Sequence, residues 1–134
     1  MRKSVAQEKP NGCGIACFAF VCGIRYQDAE EFLGPEQANS SRFIVKHFRG
    51  ELNRYGLQYE SRHVRPGAII EPKDGMIVLL RRSPQFPVGH YFAYHEGKWM
   101  DPRINLVDDR EFQKPISGFR DELPGEIMYI ITPA

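Results

Sequence analysis

At 134 residues the chain is long enough for one domain with a buried core, residues 1–134, and too short for two. Its 42% hydrophobic and 26% charged residues exclude a disordered chain, and a net charge of +1 excludes a global field that would draw nucleic acid or an anionic membrane. No apolar run approaches the ~20 residues of a membrane helix, and Met1-Arg2-Lys3 is not followed by the apolar stretch of a secretory signal.

In chain order, Pro10 forbids helix upstream, and Asn11-Gly12 offers a cap for a helix running to about Ile24, with Asn11 placed to accept a first-turn amide. Ile15, Ala16, Phe18, Ala19 and Phe20 leave this helix no polar face, so it is expected to be the buried, central one. A short second helix, Tyr26 to Leu33, stops at Gly34-Pro35. A third starts at a Ser40/Ser41 cap and runs to Tyr55, with Gly56 as its stop and Ile44, Phe48, Leu52 and Tyr55 as its apolar stripe. The period then changes. Leu57–Val64, Met76–Arg82, His90–His95, Lys98–Asp101 and Ile127–Thr132 read as strands punctuated by Pro, Gly and Asp. Helices followed by strands predict an α+β domain whose sheet packs on the central helix.

The three cysteines, at 13, 17 and 22, are odd in number and crowded, which suits reduced thiols in a cytosolic protein better than a disulfide scaffold. A chain exported without a cleaved signal would look the same. Cys13 falls in the first turn of the first helix, where unpaired amides stabilise a thiolate, and Gly12 and Gly14 leave room for a substrate backbone. Cys17 and Cys22 lie deeper and read as core filler. Gln7, upstream, could join the Cys13 backbone N–H as the two donors of an oxyanion hole.

His90 and Asp101 are related by the hairpin between them. If Glu96-Gly97 is a two-residue turn, Phe92 faces Asp101 and Tyr94 faces Trp99. His90, Phe92, Tyr94, Trp99 and Asp101 then share a sheet face, with His90 and Asp101 diagonal neighbours roughly 7–8 Å apart at Cα. A three-residue loop would instead set Asp101 beside Ala93 and His95, making His95 the base. His47, His63, the Arg62/Arg65 pair and Arg81-Arg82 read as surface or strand-edge groups. Two other uses of these residues stay open: zinc held by Cys13, Cys17, His90 and His95, and a groove that binds peptide without chemistry.

Gln-x5-Cys-Gly-x-Ala-Cys, then Gly89-His90-Tyr91, then Asp101-Pro102 after a short hairpin, resembles the C39 (bacteriocin-processing) peptidases and C39-like domains of the papain-like cysteine peptidases. The resemblance spans Gln7 to the last strand. It implies a papain-like fold with the nucleophile helix against an antiparallel sheet. It casts Cys13 as nucleophile, His90 as general base, Asp101 as orienting carboxylate and Gln7 as oxyanion donor. Cys17-Phe18-Ala19-Phe20 also echoes the Cys-Trp-Ala-Phe of papain, but the five residues between Gln7 and Cys13 match the spacing that both groups use. The activity implied is hydrolysis of a peptide or isopeptide bond, after small residues such as Gly-Gly, with no cofactor, no nucleic acid and no membrane partner. The transporter domain of the best-known members has no counterpart in this sequence. A thiol acyltransferase or amidase would use the same residues.

Overall fold

In the computed structural model, residues 2–38, 45–105 and 114–134 are described. Helices α1 (Cys13–Cys22), α2 (Tyr26–Leu33), α3 (Pro35–Ala38) and α4 (Val45–Tyr55) precede strands β1 (Tyr59–His63), β2 (Ile77–Leu80), β3 (Tyr91–His95), β4 (Lys98–Asp101), β5 (Gly118–Arg120) and β6 (Ile127–Pro133). The strands form one antiparallel sheet in the order β1-β6-β2-β3-β4-β5. The domain is α+β.

Helix α1 is buried from Gly14 through Phe20 on all sides, as its uniformly apolar sequence requires. It ends slightly earlier than the sequence suggests, because Gly23 turns left-handed (φ 71°) and donates its N–H to the Ala19 and Phe20 carbonyls. The Arg2 guanidinium caps the same end, with Nη1 2.7 Å from the Phe20 carbonyl and 2.9 Å from that of Val21. In α4, Val45, Phe48 and Leu52 are buried, while Tyr55 is partly exposed and packs edge-on against Phe18 and Phe32. The Ser40/Ser41 start and Ile44 lie outside the described residues.

The sheet is covered on both faces. Ile77, Tyr91, Ala93, Met100 and Ile131 pack with α1 and α4. The alternate residues Val78, Leu80, Phe92, Trp99 and Ile130 form a second core with Val64 and Phe86. Burying each such side chain is worth about 1.5–3 kcal/mol. The sheet-on-helix expectation therefore describes one face only. Strand β5 and the short α3 lie beyond the sequence expectation: three and four residues are too few for a period to show.

Candidate active site

The hairpin sets where His90 lies. Glu96 (φ 48°) and Gly97 (φ 83°) form a two-residue turn with both central residues left-handed, the twist that antiparallel strands favour. Ala93 pairs with Met100, Tyr94 with Trp99 and His95 with Lys98, the register of the two-residue case. His90, immediately before β3, and Asp101, ending β4, accordingly lie on one face, the face turned away from α1. His90 Nε2 is 3.0 Å from Asp101 Oδ1. His90 also makes a side-chain hydrogen bond with Cys13, at the start of α1.

Cys13 is the first residue of α1, and the N-cap is Gly12 rather than Asn11. No side chain caps this helix end, a correction to the expected Asn11 cap, and its consequence is chemical: the first-turn amides remain open to an anion. Gly12 is required by crowding, since a Cβ there would lie 2.2 Å from the Tyr26 hydroxyl and 3.0 Å from the Lys9 carbonyl. Burial alone would push the Cys13 thiol up. The His90 charge and hydrogen bond, helped by bonds from the Tyr91 and Gly14 backbone, outweigh it and hold the thiol below its ordinary value. Burial likewise opposes the His90 cation, but Cys13 and Asp101 raise its pKa to about 9. The pair favours thiolate and imidazolium.

His90 is 4% exposed, stacked on Phe86 at 4.7 Å and met edge-on by Phe92. Asp101 is fully buried and surrounded by donors. Besides His90, Oδ1 accepts the Arg103 backbone N–H at 2.9 Å, and Oδ2 accepts Arg120 Nε at 2.7 Å. Burial would raise this carboxyl, yet the His90 hydrogen bond and charge, with Arg120 and the Arg103 amide, keep it low and ionised. Arg120 escaped the sequence reading. Asp101 pairs with Gly118, which sets Arg120 diagonally across from it on the same face, but that signal exists only once β5 is known.

Gln7 is 2% exposed and lies beside Cys13 in the same cleft. Its backbone N–H bonds the Pro102 carbonyl at 3.1 Å, tying the segment before α1 to the chain just after Asp101. Its side-chain Nε2 donates to the Lys9 and Pro10 carbonyls, at 3.0 and 3.1 Å, while Oε1 is buried without a partner. Both amide protons thus brace the turn that delivers Cys13.

The other candidates separate from this point. His95 packs edge-on against Phe20, seven residues along α1 from Cys13, so the zinc quartet is not gathered about one centre. Cys17 is fully buried with its pKa pushed well up by burial, and burial raises that of Cys22 to about 12. His63 meets Tyr129 edge-on, and Arg81 bonds the Val64 carbonyl.

A cleft of about 870 Å³ opens over Cys13 and His90, between α4, the loop from Arg82 to Gly89, and the ends of β1 and β6. A larger, shallower hollow of about 1170 Å³ lies along the N-terminal segment, α2 and the far end of α1, and neither Cys13 nor His90 lines it. Among the described residues no helix is long and apolar enough to cross a membrane. No protein-family model, no curated protein and no solved structure matches the chain.

Proposed function

We propose that this chain is a papain-like cysteine peptidase of the C39-like kind, cleaving a peptide or isopeptide bond through an acyl-enzyme on Cys13. The observation that carries the reading is the unbroken hydrogen-bonded line from Cys13 through His90 to Asp101, begun at an uncapped helix start inside a cleft. The Cys13 thiolate attacks the substrate carbonyl carbon, and the new C–S bond leaves an oxyanion. The Cys13 backbone N–H receives that charge, together with Gln7 once it exchanges one of its carbonyl bonds for the substrate oxygen. Collapse of the intermediate breaks the C–N bond as the His90 imidazolium protonates the departing amine. Neutral His90 then takes a proton from water, which attacks the thioester and releases the acid and the thiolate. Asp101 holds the imidazole's tautomer and stabilises its charged form.

With an amine in place of water the same steps make an acyltransferase, and with a free amide as substrate an amidase. Nothing in the first half-reaction changes. The cytoplasm is the proposed compartment, since all three cysteines are free.

The test is capture of Cys13 by peptide electrophiles, followed by intact-mass and fragment analysis, beside a panel of peptide and amide substrates that includes Gly-Gly. Adduct on Cys13 with product carrying a free carboxylate supports the peptidase. Product carrying an added amine supports the transferase. Adduct without turnover of any substrate would instead favour a silent peptide-binding module.

A further inference from the structure

We infer that the cleft selects an acidic peptide, with carboxylates within a few residues of the bond that is cut; the inference rests on the peptidase reading above. The cleft draws cations from three separate stretches of chain: Lys46 and Arg49 on α4, Arg82 just after β2, and Arg103 just after β4. Lys46 and Arg49 stand three residues apart, on one helix face. No Asp or Glu lines the cleft among the described residues, although the whole chain is nearly balanced at +1. Several basic side chains elsewhere are neutralised locally, as in Lys9–Glu30, Arg54–Glu51 and Arg120–Asp101. Lys46, Arg49 and Arg82 form no such pair among the described residues.

Two buried atoms in the cleft wall add direction. Arg49 Nε is a buried donor and Gln7 Oε1 a buried acceptor, and neither has a hydrogen-bond partner. Buried polar atoms are costly when unpaired, and both belong to residues that line the cleft. A ligand that satisfies both must bring an acceptor and an N–H donor. A peptide bearing carboxylates does so with its side chains and backbone, whereas a fully ionised phosphate group offers acceptors alone. The buried Gln7 amide therefore favours a polypeptide over a simple anion.

The experiment uses the full chain and a library of internally quenched peptides. Asp and Glu are placed on either side of the scissile bond, each with a matched Asn or Gln version. The expected kcat/KM ratio is about tenfold in favour of the acidic member, carried by KM, because several partly exposed ion pairs act together in the ground state. In Lys46→Gln/Arg82→Gln, two exposed changes that leave the catalytic residues untouched, the ratio should fall severalfold, as it should when salt is raised. Arg49→Gln is read alongside, with its melting temperature as a folding control. Cleavage with equal rates for acidic and amide members overturns the charge inference and leaves the peptidase reading standing. Failure to cleave any member, with no peptide electrophile captured at Cys13, removes both. Loss of cleavage on adding inorganic phosphate, without any acidic preference, assigns the cleft cations to a phosphate group and overturns the acidic-peptide assignment.

Discussion

Asp101→Asn is the substitution with the most to say, because every neighbour of the Asp101 carboxylate is a donor. Oδ1 serves His90 Nε2 and the Arg103 amide, and Oδ2 serves Arg120 Nε. An asparagine has one oxygen. If that oxygen keeps the His90 side, its NH2 group confronts the Arg120 guanidinium at a site 2.7 Å away. Turned over, the NH2 confronts the Arg103 N–H and can bond His90 only if Nε2 gives up its proton, the tautomer unable to take one from Cys13. In the first arrangement the mostly buried Arg120 loses its charge-assisted bond, and in the second the Arg103 N–H loses its acceptor, at a cost of about 1.5–3 kcal/mol. For a domain of 134 residues that corresponds to a melting temperature lower by about 5–10 °C. Turnover should fall ~10²–10⁴-fold through loss of imidazolium stabilisation and tautomer control. Adding Arg120→Met separates the two effects: it removes the stranded cation and should recover stability, while kcat stays low. Thermal denaturation and steady-state kinetics on the single and double variants read both quantities. An Asp101→Asn enzyme with wild-type kcat/KM would refute the triad. A double variant no more stable than the single would refute the account of Arg120.

Brief iodoacetamide treatment of native protein should alkylate Cys13 far faster than Cys17 or Cys22, whose thiols burial pushes up; equal labelling of all three would sink the nucleophile assignment. His90→Ala should abolish turnover, whereas His95→Ala, which lies against the Phe20 end of α1, should spare it; the reverse outcome would mean that the hairpin argument chose the wrong imidazole. Gln7→Ala should lower kcat by ~10²-fold and also reduce the melting temperature, since the lost amide both serves the oxyanion and braces the Lys9-Pro10 turn; an unchanged kcat would leave only the brace. The pH profile of kcat/KM should hold its alkaline limb near 9: His90 carries a raised pKa, so the proton needed by the leaving amine is present below that value and lost as pH climbs through it. A limb at the ordinary imidazole value would show that Cys13 and Asp101 do not charge the ring.

The site was legible where chemistry and local geometry are the same thing. A helix start puts amides on Cys13, and the Glu96-Gly97 turn sets a parity that carries His90 to Asp101. Both follow from short-range rules. What the sequence obscured were partners supplied from far along the chain. Arg120 depends on a three-residue strand with no readable period, and Phe86 stacks on His90 from a loop whose course no local pattern specifies. The Asn11 cap failed for a related reason. Propensity favours Asn as the cap, but the cap falls on Gly12, where Tyr26 from α2 leaves no room for a Cβ.

That failed cap belongs with the reading of Gln7. A side chain capping α1 would compete for the amides that stabilise a thiolate, so an uncapped start costs stability locally and leaves an anion site in place. The structure offsets the exposed end from the far side of the turn. Gln7 closes the Lys9-Pro10 carbonyls, the Gly12 N–H bonds the Lys9 carbonyl at 2.9 Å, and the Gln7 backbone is tied to the Pro102 carbonyl beside Asp101. One short segment therefore ties the Cys13 helix start to the end of the strand that bears Asp101. Backbone contacts thereby hold the Cys13 helix start and the Asp101 strand end together.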